Sequence, residues 1–204
     1  MNPNIGMIMD YKYVLASGSP RRKELLGSLG IDFEVIPATG EEIIESTRPS
    51  EVVCSLSAAK AKEIFHKHLR DNTDTLVVIG SDTVVSYSEK ILGKPTDRKD
   101  ADRMIRSIQG NLHQVYTGVT IVWGSSIEQK EITFYECTDV EVYDMDDEEI
   151  SAYLDTDEPY DKAGAYGIQG LFGKYVKRIN GDYNNVVGLP VSRLYREMKN
   201  HGLI

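Results

Sequence analysis

The sequence predicts a single α/β domain, and three observations support this prediction. Strand-like and helix-like segments alternate along the chain, which is the pattern of α/β folds. The run TLVVIGSD is continuously apolar before its last residues, as expected for a central strand covered on both faces. The 204 residues contain no internal repeat, low-complexity tract or flexible linker, so residues 1–204 are interpreted as one domain with a short leader at residues 1–11.

The first half of the chain contains three predicted strands and two predicted helices. The strands are the runs YKYVLA, DFEVIP and TLVVIGSD. Ser19 and Pro20 predict the start of the first helix, because serine caps helices and proline fits their first turn. Gly30 predicts its end. The second, longer helix is expected from about Ser50 to Leu69.

The second half continues the alternation. TVVSYSEKILGKP indicates a strand, a turn and a returning strand, and a helix is expected from Asp97 to Gln109. HQVYTGVTIVWG and KEITFYECTDVEVYDM predict a long antiparallel hairpin around Gly124–Ser126. Asp146 is expected to cap a helix that ends near Leu154, and LPVSRLYREMKNHG forms the last predicted helix.

The composition is that of an ordinary soluble globular protein, with 41% hydrophobic and 27% charged residues. The net charge of −9 argues against duplex DNA or an anionic membrane as a partner, because both attract basic surfaces. Cys54 and Cys137 lie far apart, so neither a disulfide framework nor a zinc site is expected, and the chain fits a reducing cytoplasm. No apolar run approaches the ~18 residues that cross a bilayer.

The stretch LASGSPRRKELLGSLG places two arginines where a helix begins. The helix N-terminus already carries positive partial charge, so Arg21 and Arg22 would destabilise it unless an anion binds there. Ser17 and its small neighbours allow backbone N–H groups to approach such an anion closely. Arginine forks suit phosphate oxygens, so the stretch predicts a phosphate cradle. The alternative is a simple capping turn with solvated arginines.

A lysine lies within the apolar stripe of the second predicted helix. Val53, Leu56, Lys60 and Ile64 are spaced by three and four residues and therefore share one face. An inward ammonium group is costly unless it meets an anion. The alternative is a lysine whose stem follows the core edge while its charge reaches water.

Acidic residues occur where a metal ion could help to bind phosphate. Asp82 is placed at the end of the apolar strand, and ligands of open α/β sheets bind beyond the carboxyl ends of strands. Glu41 and Glu42 follow the second strand. One or two carboxylates together with phosphate oxygens form a typical Mg²⁺ site. The alternatives are a turn-forming aspartate and solvated glutamates.

Two further segments carry candidate ligand groups. Lys94 follows a predicted strand and precedes a proline, a position from which its ammonium could reach phosphate. In DKAGAYGIQG the glycines allow a close-approaching backbone around Gln169, whose amide could match the edge of a pyrimidine base. The alternative for this segment is an ordered loop without a ligand.

Seven stretches of the chain resemble one family. LASGSPRRKELL, AAKAKEI, IGSDTVV, LGKP, HQVYTGV, DEPYDKAGAYGIQG and INGDYNNVVGLP occur in the order found in the Maf-like nucleoside triphosphate pyrophosphatases. The resemblance extends from about Tyr13 to the last helix. It implies an elongated α/β structure with a central mixed β-sheet, an active-site cleft between two lobes and a homodimer.

The resemblance also implies a reaction and roles for residues. Members of the family hydrolyse nucleoside triphosphates to the monophosphate and pyrophosphate with a divalent cation, Mg²⁺ or Mn²⁺. By position, Asp82 resembles the general base and a metal ligand, and Glu42 resembles the acidic metal ligand. The positions that resemble phosphate ligands are Ser17, Arg22, Lys60 and Lys94. Gly40 stands where many relatives have an aspartate, so Glu41 remains an alternative to Glu42.

Three positions are implied to set base preference. Arg21, Thr83 and Gln169 are similar to the branch that acts on dTTP, UTP and modified uridine triphosphates. A pyrimidine nucleoside triphosphate is therefore the expected partner, whereas a nucleic acid or a membrane is not. Two alternatives stay open. One is the 7-methyl-GTP branch, which has an aromatic residue, Gln and Glu at these positions, and the other is a nucleotide-binding regulator of septum formation.

Overall fold

The computed structural model describes residues 11–68, 76–125 and 127–204. Within these residues seven strands form one mixed sheet, and α-helices pack around it. The predicted α/β class with a central mixed sheet is thereby confirmed. Residues 1–10 of the predicted leader, Leu69 and Ser126 lie outside the described residues. No helix in the described ranges is both long and apolar enough to cross a membrane.

The secondary structure alternates along the chain as predicted. The strands are β1 (Lys12–Leu15), β2 (Phe33–Val35), β3 (Leu76–Tyr87), β4 (Lys90–Leu92), β5 (Leu112–Gly124), β6 (Gln129–Val142) and β7 (Val176–Asn180). The helices are α1 (Pro20–Gly27), α2 (Pro49–His68), α3 (Arg98–Ile108), α4 (Asp147–Leu154), α5 (Tyr183–Val187) and α6 (Val191–Asn200). Three 3-10 turns lie between α4 and β7, at Glu158–Asp161, Ala163–Ala165 and Leu171–Tyr175.

The sheet has the order β2-β1-β3-β5-β6-β7, and β4 pairs separately with β3. β1 is parallel to β2 and to β3, whereas the remaining pairs are antiparallel. The predicted hairpins β3–β4 and β5–β6 are confirmed. β7 and α5 were not predicted. β7 is a largely exposed, basic edge strand, and α5 is a five-residue helix of low intrinsic propensity, so neither has a strong apolar period.

Capping side chains begin α1, α3 and α4 where the sequence predicts. The Ser19 hydroxyl accepts a hydrogen bond from a backbone N–H of α1, and Asp97 and Asp146 cap α3 and α4 in the same way. The predicted end of the first helix was wrong by three residues. α1 ends at Gly27, and the chain then tightens before Gly30, which has a φ of +70°.

The predicted position of Asp82 at a strand end was wrong. β3 continues to Tyr87, because its pairing with β5 runs without interruption along the whole strand. On the opposite edge of β3, pairing with β1 ends at Ile79 and pairing with β4 begins at Val85. Residues 80–84 therefore have no strand partner on that edge within the described chain, and Asp82 lies in the middle of this gap.

Two large clusters of buried apolar side chains flank the gap. One contains Ile79, Leu15 and Leu194 and packs α1 and α6 against the sheet. The other contains Val85 and Phe172 and packs α3, α4 and the 3-10 turns against the sheet. β3 and β5 run through both clusters, so the unpaired stretch of β3 lies between two separately packed lobes.

Candidate active site

A cleft of about 660 Å³ opens at the unpaired stretch of β3. Most of the residues selected from the sequence line it: Arg21, Arg22, Glu42, Lys60, Asp82, Thr83, Lys94 and Gln169. Ser17 is buried behind this surface, where its Oγ accepts a hydrogen bond of 3.2 Å from a terminal nitrogen of Arg22. Glu41 is exposed and does not line the cleft. Of the two candidate glutamates, the structure thus places Glu42 at the site.

One ammonium group joins the two carboxylates of the cleft. The Nζ atom of Lys60 lies 2.5 Å from Oδ1 of Asp82 and 2.7 Å from Oε1 of Glu42. The Lys60 side chain is only 19% exposed, so its charge does not reach bulk water along the core edge. The alternative of a solvent-seeking lysine is therefore wrong. The inward ammonium meets anions that the protein itself supplies.

Glycines in the sheet explain how Lys60 reaches Asp82. A Cβ atom at Gly80 would lie 2.3 Å from the carbonyl oxygen of Ser57, and one at Gly118 would lie equally close to that of Val53. Because neither glycine has a side chain, α2 packs directly against the backbones of β3 and β5. Asp82 follows Gly80 by two residues and so points to the same face of the strand, beneath α2.

The two carboxylates have different acidities because they differ in burial. Burial raises the pKa of Asp82 above its usual range, against the opposing attraction of Lys60 and Arg22. Glu42 is more exposed, and its hydrogen bond to Lys60 lowers its pKa. Asp82 is therefore the stronger base of the pair, whereas Glu42 remains ionised to lower pH.

Arg22 is held by neutral acceptors. Its Nε atom donates to the carbonyl oxygen of Gly188 at 2.8 Å, and its terminal nitrogens donate to Ser17 and to Thr83 Oγ1 at 3.0 Å. Burial lowers the pKa of this guanidinium, and the charge of Asp82 opposes that shift. Among the described residues no carboxylate forms an ion pair with Arg22. The alternative of a solvated arginine is therefore wrong for Arg22. Its positive charge can pair with an anion that enters the cleft.

The other cations of the cleft are more exposed. Arg21 faces Asp161 across the cleft, with 3.8 Å between a terminal nitrogen and the carboxylate oxygen. Lys94 is exposed in the loop after β4, and within the described chain it forms no ion pair. The ion pair of Arg21 is therefore long, and Lys94 has no ion pair among the described residues. An anion that binds these two side chains would not have to break a short ion pair.

Glu158, which was not predicted as a site residue, holds the loop that carries Gln169. Glu158 accepts hydrogen bonds from the backbone N–H groups of Leu171, at 2.7 Å, and Phe172, at 3.3 Å. A Cβ atom at Gly170 would lie 2.2 Å from this carboxylate, so the close approach requires glycine. Glu158 lies within a charged stretch, and its spacing alone does not distinguish it from a solvated surface acid.

The similarity of the chain to known proteins agrees with this geometry. A sequence profile of the family described as Maf-like protein matches residues 12–201. The chain belongs to the Maf-like protein family. A dTTP/UTP pyrophosphatase of Agathobacter rectalis is 50% identical over 199 residues, covering 93% of this chain and 97% of that protein. Proteins of the same name from Lachnoclostridium phytofermentans (48% identical, covering 95% and 96%) and Bacillus anthracis (47%, covering 92% and 94%) are also similar.

The similarity of the chain to one solved structure is weak. The solved Ham1 protein of Staphylococcus aureus is 14% identical and superposes with a TM-score of 0.35, covering 64% of this chain and 71% of that protein. A TM-score this low leaves the family assignment to rest on the sequence matches.

The acidic groups of this Maf-like site are compatible with one divalent cation that also binds phosphate. Lys60 occupies one oxygen of Glu42 and one of Asp82, and no described residue donates a hydrogen bond to their second oxygens. No group of three or more His, Cys, Asp or Glu residues in the described chain is arranged to hold a metal by itself. Two carboxylates are sufficient for Mg²⁺ when phosphate oxygens and water complete its coordination.

Proposed function

We propose that this protein hydrolyses dTTP and UTP, including modified uridine triphosphates, to the nucleoside monophosphate and pyrophosphate. One observation carries the proposal: Arg22, Lys60 and Lys94 come from three separate chain segments and line one cleft together with Asp82. The relatives named dTTP/UTP pyrophosphatase, about half identical over nearly the whole chain, support the same activity. A cleft of about 660 Å³ has the size of a small-molecule site.

The cations would bind the triphosphate and neutralise its charge. A triphosphate carries about four negative charges, and phosphoryl transfer depends mainly on positioning and charge neutralisation. Arg22 offers a guanidinium that forms no ion pair with a carboxylate of the described residues, so its terminal nitrogens can pair with phosphate oxygens. Lys94, an exposed residue of the cleft lining, would donate to the phosphates, and Lys60 would exchange one of its carboxylates for a phosphate oxygen.

Asp82 is the proposed general base. A water oxygen forms a new bond to the α-phosphorus, the bond between that phosphorus and the α–β bridging oxygen breaks, and pyrophosphate leaves with the bridging oxygen. The water proton passes to the Asp82 carboxylate. Burial raises the pKa of Asp82, which makes it a better proton acceptor than a solvated aspartate.

A divalent cation, Mg²⁺ or Mn²⁺, is part of the proposal. Glu42 and Asp82 would hold it through the oxygens that Lys60 leaves free, together with oxygens of the triphosphate. When bound, such a cation neutralises phosphate charge and makes a coordinated water more acidic.

Base preference is proposed to depend on Arg21, Thr83 and Gln169. The amide of Gln169 has two donors and an acceptor, which can match the carbonyl and N–H groups of a uracil or thymine edge. Glu158 holds the backbone beside Gln169 and would limit the positions that this amide can take.

A panel of triphosphates tests the proposed activity. The purified protein is incubated with dTTP, UTP, CTP, GTP or 7-methyl-GTP in the presence of Mg²⁺ or Mn²⁺, and released pyrophosphate is measured. We expect the highest kcat/KM with dTTP and UTP and little release without metal. Turnover confined to 7-methyl-GTP would assign the protein to the other branch, and nucleotide binding without any turnover would favour a regulator.

Two properties of the protein in the cell are also proposed. A cytoplasmic location is supported by the free thiols of Cys54 and Cys137, and fractionation of expressing cells tests it. A homodimer is supported by the family resemblance, and light scattering of the purified protein measures the molar mass.

A further inference from the structure

The orientation of Arg22 depends on hydroxyl groups behind the cleft. Thr83 Oγ1, which accepts from Arg22, lies 2.9 Å from Thr117 Oγ1. Thr117 Oγ1 in turn donates to the backbone carbonyl oxygen of Asn185 at 2.8 Å. Thr117 is fully buried and does not line the cleft, so it cannot touch a bound nucleotide.

The number of hydroxyl protons fixes the direction of each hydrogen bond between Arg22 and Asn185. A carbonyl oxygen cannot donate, so the single proton of the Thr117 hydroxyl is used on Asn185. Thr83 must then donate to Thr117, and its own proton is used as well. The Thr83 hydroxyl is left to accept from Arg22. The order of donation is therefore Arg22 to Thr83, Thr83 to Thr117, and Thr117 to Asn185.

Asn185, the last residue in this series of hydrogen bonds, is buried and bonded to the core strands. The side-chain amide of Asn185 donates to the carbonyl oxygen of Val115 at 3.0 Å and to Thr138 Oγ1 at 2.9 Å. These bonds attach α5 to β5 and β6. The segment that supplies the Asn185 carbonyl also supplies the Gly188 carbonyl, which accepts directly from Arg22. One short segment, residues 185–188, therefore supplies the carbonyl acceptors of both Thr117 and Arg22.

We propose that Thr117 is a positioning residue, which acts through Thr83 to aim the Arg22 guanidinium at the polyphosphate. This inference rests on the proposed function for the identity of the anion. It assigns part of the binding that does not depend on the base to a buried series of hydrogen bonds.

The test uses a probe without a base. Binding of inorganic tripolyphosphate and of UTP is measured by calorimetry without added metal for wild type, Thr117→Val and Thr120→Val. Thr120 is the matched control. It is equally buried on β5 and its hydroxyl lies 2.9 Å from both Ser57 and Thr133, away from Arg22.

We expect Thr117→Val to weaken binding of tripolyphosphate and UTP by the same factor, about 3- to 30-fold, because one hydrogen bond that orients a charged group is lost. Thr120→Val should bind both as wild type does, and Thr117→Ser, which keeps the hydroxyl, should restore affinity. Equal affinities of Thr117→Val and Thr120→Val would overturn the inference. So would weaker binding of UTP with unchanged binding of tripolyphosphate.

A second pair of variants decides the matter if Thr117→Val does not fold. Thr83→Val should weaken tripolyphosphate binding, and Thr83→Ser should not. A Thr83→Val protein that binds tripolyphosphate as tightly as wild type does would contradict the inference. If wild type binds tripolyphosphate, Thr117→Val weakens that binding and no triphosphate is hydrolysed, the inference survives while the proposed function fails.

Discussion

Asp82 and Thr83 are adjacent residues on opposite faces of β3, and the charged groups beside them differ in their partners. Asp82 points toward α2, where the ammonium group of Lys60 lies between it and the second carboxylate, Glu42. Thr83 points toward α1 and α5, where Arg22 donates to three neutral oxygens of the described chain. On the first face a triphosphate would displace an existing carboxylate partner of Lys60. On the second face it would meet a guanidinium that is already oriented and that forms no ion pair with any carboxylate of the described residues.

The difference shows how a cleft can separate catalysis from binding. The α2 face contains the buried carboxylate whose pKa is raised, which suits proton transfer. The opposite face contains a rigid cation, which suits recognition of an anion. Substitutions on the α2 face should therefore affect kcat most strongly, and substitutions on the other face should affect affinity.

The largest effect is expected from Asp82→Asn. Removing the general base should lower kcat about 100- to 10,000-fold. Affinity for UTP measured without added metal should remain near that of wild type, because Arg22 and Lys94 are unchanged. Steady-state kinetics and calorimetry measure the two quantities separately. A variant with unchanged kcat would remove Asp82 from the chemistry.

The same variant reports on stability. The pKa of Asp82 is raised in the folded protein, so its ionised form destabilises the fold above the folded-state pKa, and this penalty vanishes below the unfolded-state pKa. Asp82→Asn should therefore have a higher Tm than wild type at neutral pH. The difference should shrink as the pH falls through the range of the Asp82 pKa, which scanning calorimetry at several pH values would detect.

The next largest effect is expected from Gly80→Ala, which tests the close packing behind the α2 face. The new Cβ would meet the Ser57 carbonyl, so α2 must move away from β3 and take Lys60 with it. We expect a loss of about 1–3 kcal/mol in the free energy of unfolding, as for other overpacked sites, together with a lower kcat.

Gly27→Ala is the matched control for that substitution. Gly27 lies at the end of α1, and a Cβ atom there would meet no atom within 4 Å. Alanine also favours helix more than glycine does, so this variant should be as stable as wild type or slightly more stable in urea unfolding. Equal losses for both variants would show that close packing at Gly80 is not the cause.

The smallest effect is expected from Glu42→Gln. The charge of Glu42 raises the pKa of Asp82, and Glu42 also shares Lys60 with it. Removing that charge should lower the Asp82 pKa, so the acidic limb of the kcat profile should move to lower pH. The metal concentration for half-maximal activity should rise.

Glu41→Gln provides the control for Glu42→Gln. Its side chain is exposed outside the cleft, so both the pH profile and the metal requirement should match wild type. If Glu41→Gln raised the metal requirement and Glu42→Gln did not, the assignment of the two glutamates would be reversed.

Local patterns predicted a large part of the fold. Ser19, Asp97 and Asp146 begin helices where expected, because a cap depends on residues within one turn of itself. The hairpin of β5 and β6 also follows from alternation and a turn. β7 was not predicted, because its five residues have no apolar period of their own and form a strand by pairing with β6.

The candidate site was predictable as a set of residues but not as an arrangement. An arginine pair at a helix start and a lysine in an apolar stripe are unusual within their own segments, so their chemistry singles them out. Glu158 and Thr117 are ordinary within theirs. Their roles depend on backbone groups and hydroxyls that come from distant parts of the chain.

The sequence by itself determined the α/β class, most helix starts and the identities of the charged groups in the cleft, because these depend on residue chemistry and on periods of two to four residues. Only the tertiary structure decided that β3 runs past Asp82 and that Lys60 contacts two carboxylates. It also decided that, among the described residues, the edge of β3 has no strand partner between β1 and β4 and Arg22 has no carboxylate partner. Those facts depend on contacts such as that from Arg22 to Gly188, 166 positions apart, and no local pattern specifies such a contact.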